Sequence, residues 1–292
     1  MFRKLLSRRN PISVSLGLLI LVAMTVVLAY KGVAAATLNG DEDEQKKNLF
    51  YTTSFSSGSA ELFAIEVSGS KITTTDVGPT KGGGCASLAL SPSGTLLSMC
   101  GNLFGDQQLA SIDPKTGLAN LFGMPVSGLA VMAMAFGPNG ILYAVGDCNP
   151  GGANFECSPG SDPNYNSLYT VNEATGAFAR VGSTGAPQYF MDLAFDRDGK
   201  MFGVTTTLNP SLVPAILYRI DPETGAATKI VNLVGSNSVM GLALAPDGKM
   251  YGTDFTGNSG LYRIDPKTGF ETAVAAMPFG LSSGLELENP LP

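Results

Sequence analysis

Histidine and tryptophan are both absent from the 292 residues. Without histidine the chain cannot build a Ser-His-Asp triad, a Cys-His pair, or a His-ligated zinc, copper, haem or non-haem iron site from its own side chains. Any chemistry must therefore rest on Asp, Glu, Lys, Tyr or Cys. Charge is scarce as well, at 14% of residues, with 18 basic against 24 acidic. Five of the basic residues lie in the first 36 positions, so the rest of the chain carries a formal charge of -11 and no basic cluster. Nucleic acid is excluded as a partner on that ground, because its phosphates need Lys and Arg. The four cysteines contain no Cys-x-x-Cys pair, so they lack a zinc pattern. The hydrophobic fraction, 44%, is ordinary and marks a globular chain.

The N-terminus reads as a targeting segment. Arg3, Lys4, Arg8 and Arg9 precede an uncharged run from Asn10 to Tyr30, and Ala34-Ala35-Ala36 supplies small residues at a cleavage position. Residues 1–36 are thus expected to be a signal peptide or a membrane anchor. Both fates stay open, since residues 12–30 are close to the roughly 20 residues that span a bilayer. Either one places the rest of the chain outside the cytoplasm. Residues 37–48, with the run Asp41-Glu42-Asp43-Glu44, read as an acidic linker ahead of a folded domain over residues 49–292.

Two phrases alternate along that domain. The first is an apolar strand running into a Gly-bearing turn: Leu88-Ala-Leu-Ser-Pro-Ser-Gly94, Met134-Ala-Phe-Gly-Pro-Asn-Gly140, Leu193-Ala-Phe-Asp-Arg-Asp-Gly199 and Leu242-Ala-Leu-Ala-Pro-Asp-Gly248. The second is Ile112-Asp-Pro-Lys-Thr-Gly117, Val171-Asn-Glu-Ala-Thr-Gly176, Ile220-Asp-Pro-Glu-Thr-Gly225 and Ile264-Asp-Pro-Lys-Thr-Gly269. The turn glycines of the first phrase are 46, 59 and 49 residues apart, a period that belongs to the four-stranded blades of a β-propeller. Gly284-Leu-Glu-Leu-Glu288 repeats Gly241-Leu-Ala-Leu-Ala245, while Leu49-Phe-Tyr-Thr52 repeats Met250-Tyr-Gly-Thr253. The expected fold is an all-β, five-bladed propeller, its ring closed by pairing the C-terminal strand with the N-terminal ones.

This pattern resembles the NHL, YVTN and regucalcin-like group of propellers, whose blades read roughly "GLAF-PDG-LY...L--IDP-TG". The resemblance implies the fold. The group contains lactonases, scaffolds and ligand binders, and the metal-binding residues of its lactonases align with no motif here, so no catalytic residue is carried over.

Cys85 and Cys100 are symmetric about the Pro92-Ser93 turn, which predicts a cross-strand disulfide; Cys148 and Cys157 are expected to pair across the longest loop. Such bridges suit an exported protein. Variable loops between second and third strands place the expected site on the face opposite the recurring turns. Two innermost-strand positions break a rule of small residues. Asp192 stands where other blades carry Ser87, Ala133, Gly241 and Gly284, and Glu286 stands where they carry Ala89, Ala135, Ala194 and Ala243. Such carboxylates near a channel must be solvated, paired with Lys or Arg, or bound to a cation. Asp147 and Asp254 end second strands and could join them, and Tyr165, Tyr189 and Phe190 offer an aromatic platform.

The main expectation is a monomeric, exported, non-enzymatic propeller that binds a protein, peptide or glycan through its loop-rich face, with no cofactor. One alternative is a calcium-assisted hydrolase, lactonase or lyase using Asp192, Glu286, Asp147 and Asp254, whose oxygen ligands suit calcium. The other is a structural envelope protein held at a membrane by residues 12–30.

Overall fold

A computed structural model describes residues 47–54, 60–102, 106–148, 164–206, 214–235, 238–254, 260–277 and 282–288. All its elements there are strands. Blade 1 begins with β1 (Asn48–Ser54), β2 (Glu61–Ser68) and β3 (Lys71–Pro79). Blade 2 comprises β4 (Gly84–Leu90), β5 (Leu96–Gly101), β6 (Gln107–Ile112) and β7 (Ala119–Leu121), and blade 3 comprises β8 (Leu129–Phe136), β9 (Leu142–Cys148), β10 (Ser167–Val171) and β11 (Phe178–Ser183). Blade 4 holds β12 (Tyr189–Phe195), β13 (Met201–Thr206), β14 (Ile216–Ile220) and β15 (Ala227–Asn232). Blade 5 holds β16 (Val239–Leu244), β17 (Met250–Asp254), β18 (Gly260–Ile264) and β19 (Glu271–Ala276), after which β20 (Ser282–Leu287) returns to blade 1 in the order β20-β1-β2-β3.

The five sheets form a ring in which the inner strands β20, β4, β8, β12 and β16 each touch the next, and β16 touches β20. Closure therefore follows the expected route, with Phe50 opposite Leu287 and Tyr51 opposite Glu286. It leaves the inner strands without a free end-blade edge.

Each recurring phrase has a local physical cause. In Ile112-Asp-Pro-Lys-Thr-Gly117 the Asp113 carboxylate accepts the Lys115 N–H at 2.9 Å and the Thr116 hydroxyl at 2.9 Å, closing the turn over Gly117 at φ 76°. Asp265 repeats the arrangement with Lys267 and Thr268, and Asp221 accepts the Glu223 N–H. These N–H donors hold the Asp113, Asp221 and Asp265 carboxyls below the usual range. Between the turns, sheets pack face to face. Val145 and Leu168 of blade 3 meet Phe190, Leu193, Met201 and Tyr218 of blade 4 in one buried cluster, so the core lies between neighbouring blades.

Every inner strand carries a register shift against its second strand: between Ala86 and Ala89, Val131 and Ala133, Phe190 and Asp192, and Val239 and Gly241, and in the β1–β20 pair between Tyr51 and Thr53. A β-bulge twists the strand and frees backbone groups from the ladder. In blade 2 it also decides the disulfide. Near the turn Leu90 faces Leu96, a register centred on Ser93; the extra residue beyond it brings Cys85 opposite Cys100, Cα to Cα 4.1 Å, and the two are bonded. The expected pairing is therefore present, through a bulge rather than through a symmetric turn. The expected Cys148–Cys157 bridge lies outside the described residues, as do residues 1–46. The Cys85–Cys100 bond points to an oxidising, extracytoplasmic compartment. Among the described residues no helix is long and apolar enough to cross a membrane.

Candidate functional site at the propeller axis

Asp192 and Glu286 both project towards the axis, at different depths. The bulge in β12 sets Asp192 where its side chain is fully buried. Its Oδ1 accepts the N–H of Leu193 at 3.0 Å; its Oδ2 accepts the N–H of Leu242 at 2.8 Å and that of Leu285 at 3.0 Å. Leu193, Leu242 and Leu285 follow Asp192, Gly241 and Gly284 in the aligned repeats, so one carboxylate gathers equivalent peptide groups from three consecutive blades. Burial lifts its proton affinity well above the usual carboxylate range, against the pull of those three donors, with the nearby Glu286 adding a smaller rise.

Glu286 lies two residues further along β20, nearer the recurring turns. Its neighbours at this level are small, and Ala135, Ala194 and Ala243 leave space for a cavity of about 510 Å³ that opens on the turn face. All five blades contribute to its wall. Leu193, Leu242 and Leu287 also line it, while Ser91, Ser93, Asp196, Arg197 and Glu288 supply polar groups. Glu286 accepts the Leu287 N–H at 3.1 Å, and its carboxyl is pushed up to about 8 by burial, against opposing N–H donors from Leu287 and Leu90. Glu288 accepts the Tyr51 hydroxyl at 3.3 Å.

The other expected site residues fall elsewhere. Asp254 is buried in blade 5, where it accepts the Gly260 N–H at 3.3 Å and the Tyr262 hydroxyl at 3.5 Å, closing its own β17–β18 connection. Asp147 ends β9 beside Tyr165 and Tyr189, whose rings are 6.1 Å apart. Burial raises the proton affinity of both phenols, and the charge of Asp147 adds to it. Tyr165 is itself buried and donates to the Pro187 carbonyl at 2.8 Å, so the pair is half of a packed interior. Phe190 packs on Tyr218 in the core between blades rather than on a platform. Thus Asp192 and Glu286 share the axis, Asp147, Tyr165 and Tyr189 form a second group, and Asp254 joins neither.

Calcium is the cation of the alternative reading that uses the four acids. Among the described residues no group of three or more Cys, Asp and Glu side chains is placed to hold a metal ion. The oxygens of Asp192 are engaged by three N–H groups, and Glu286 is the single carboxylate at the cavity floor, a poor match for the six to eight oxygens that calcium takes. These residues do not fit a calcium centre.

The rim residues were not singled out from the sequence. Two signals were present: Arg197 replaces the proline found at Pro92, Pro138 and Pro246, and Glu288 stands where the repeat has Ala245.

The sequence pattern of one protein family matches residues 125–283, from just before β8 into the start of β20. The chain belongs to that family, described as Repeat of unknown function (DUF6923). The DUF6923 match thus covers blades 3 to 5. No curated protein matches the chain. Solved structures share its fold. A gluconolactonase from Xanthomonas campestris is 13% identical, with a TM-score of 0.46 over 76% of this chain and 74% of its own. An aldose sugar dehydrogenase from Streptomyces coelicolor, bound to PQQ, is 14% identical, with a TM-score of 0.48 over 84% and 90%. The calcium-binding protein regucalcin from Agrobacterium tumefaciens is 16% identical, with a TM-score of 0.42 over 80% and 76%. The resemblance to regucalcin-like propellers therefore holds at the level of fold. The reading of a non-enzymatic loop-face binder is not supported: the similar structures are mostly those of enzymes, and at these identities they show the shared fold alone. The geometry departs from that reading too: the axial cavity, with Glu286 on its floor, opens on the turn face rather than the loop-rich face.

Proposed function

We propose that the chain is an enzyme of the hydrolase or lyase type that works without a bound calcium ion, with Glu286 as general acid and base for a small polar substrate in the axial cavity. The observation that carries this reading is the position of Glu286, the lone carboxyl on the floor of a 510 Å³ cavity otherwise walled at that depth by alanine and leucine. Pockets of this size hold small molecules, and a titratable group with displaced affinity inside one is a candidate for proton transfer. With its carboxyl pushed up to about 8, Glu286 is protonated at neutral pH. It can give that proton to a leaving oxygen or nitrogen as the bond to it breaks. The carboxylate so formed then takes a proton from the attacking water, for hydrolysis, or from the adjacent C–H, for elimination, which restores the starting form. Arg197 and Ser93 at the rim are placed to orient polar substrate groups. We further infer that the protein is exported, from the disulfide of blade 2 together with the basic and apolar N-terminal segment.

The test is turnover of a panel of small lactones, esters and uronate-containing sugars by the parent and by Glu286→Gln. The expected loss in kcat/KM is about 10²-fold or more, with a fall in the parent's rate as pH rises through about 8 that the variant lacks. A parent that turns over nothing in the panel, or a variant as active as the parent, would remove the basis of the proposal.

A further inference from the structure

We propose that Asp192 is a positioning residue for Glu286: by accepting the Leu242 and Leu285 N–H groups it fixes the peptide that carries Glu286 at the cavity floor. This rests on the reading of Glu286 as the acid and base of the site. β4, β8, β12 and β16 are each tied to their second strand by a tight turn, such as that in which Asp196 N–H donates to Lys200 O at 2.9 Å. β20 has no such turn, because its sheet neighbour β1 lies more than 220 residues earlier in the chain. Its place on the axis must therefore come from long-range bonds. Those present are the β1 ladder, the Thr52 hydroxyl donating to Gly284 O at 2.6 Å, the Glu288 N–H donating to Leu49 O at 2.7 Å, the Leu90 N–H of β4 donating to the Glu286 carboxyl, and Leu285 N–H donating to Asp192. The first three tie β20 back to its own blade, and the Leu90 bond holds the Glu286 side chain to blade 2. Asp192 is the group among these that joins it to blades 4 and 5, and the residue after Leu285 is Glu286.

The same carboxylate fills the axis below the floor. Asp192 does not line the cavity, while its neighbour Leu193 does, and its side chain is fully buried. Asp192 thus has no contact with solvent, and a dry neighbour on the axis favours the protonated form of the Glu286 carboxyl. The charged groups that face Glu286 from the packed elements are Asp192 of β12, Asp196 and Arg197 of the following turn, and Glu288 beside it; β4, β8 and β16 present Ala and Leu.

The experiment reads the Glu286 carboxyl directly, by ¹³C NMR titration of protein labelled at glutamate, with Glu286→Gln to assign the signal. No substrate is needed, so the outcome is independent of whether Glu286 is catalytic. In Asp192→Ala, which installs the residue that blade 3 carries as Ala133, the Glu286 midpoint is expected to fall by about one pH unit or more towards the ordinary value, as water enters and β20 shifts. Formate, a free carboxylate that fits the vacated N–H groups, should move the midpoint back up. Asp192→Asn keeps one carbonyl oxygen for the Leu242 and Leu285 N–H groups and should fall between parent and alanine variant; it serves alone if the alanine variant does not fold. A folded variant whose Glu286 midpoint equals the parent's would overturn the proposal and leave Asp192 as a purely structural staple, as would an alanine variant in which formate restores the melting temperature but not the midpoint.

Discussion

Asp192 and Glu286 lie on the same axis, both at positions where the other blades carry small residues, yet their surroundings differ in kind. Asp192 accepts three peptide N–H groups from three strands and has no contact with solvent. Glu286 is partly exposed on the floor of a cavity. The difference traces to depth. At the level of the bulges, backbone N–H groups turn away from the ladders and need an acceptor, which one carboxylate supplies to three of them at once. Two residues nearer the turns a ring of alanines leaves room for a ligand. A carboxylate is thus structural where the backbone surrounds it and available for chemistry where side chains withdraw from it.

Removing Asp192 should have the largest effect on this contrast. Asp192→Ala leaves three buried N–H groups without an acceptor, and at about 1–3 kcal/mol for such a loss the melting temperature should fall by roughly 5–10 °C, measured by calorimetry. A variant that melts with the parent would mean that water serves those groups as well as the carboxylate does.

Gly284→Ala tests the same level from β20. Gly284 has φ 70°, and a Cβ there would meet Leu88 N at 2.8 Å, so alanine must push β20 away from β4 and draw Leu285 off Asp192. A fall of a few degrees is expected, and less of one in the Asp192→Ala background, since the contact it disturbs is then already gone.

The smallest effect belongs to Glu286→Gln, and its mark is pH dependence. A carboxyl at about 8 in the folded chain and in its ordinary range when unfolded keeps its proton through folding between about pH 4.5 and 8, while the unfolded state gives it up. Its contribution to stability is therefore complete below the unfolded value and is lost as pH rises through the folded one. The variant should match the parent near pH 5 and melt a few degrees above it at pH 8 to 9; Asp192, raised in the same direction chiefly by burial, contributes in both proteins, less in the variant by the small part that Glu286 adds. Parallel melting curves at all pH values would place Glu286 in free contact with water.

Much of the architecture was legible because it is written locally. The Asp-Pro-x-Thr-Gly turns close through side chains two and three residues away, and the repeat period counts blades without any knowledge of contacts. Cys85 and Cys100 could be paired from spacing alone, although the bulge that aligns them could not be seen. Asp192 and Glu286 were also visible, as large polar residues in columns of small ones. Their roles were not. The partners of Asp192 are 50 and 93 residues away, and they are backbone groups, which carry no sequence identity. The loop-rich face drew attention because length variation shows in a sequence, whereas the turn-face cavity arises from five short strands that bring four alanines and Glu286 together only when the ring closes.

By itself, then, the sequence determined the repeat, the five blades, the way the ring is sealed and one disulfide, since each depends on residues that read correctly within one hairpin or between matching repeats. Only the tertiary structure decided which carboxylate is held and which is available, because that choice depends on how far each one lies along a shared axis from the bulges of its neighbours.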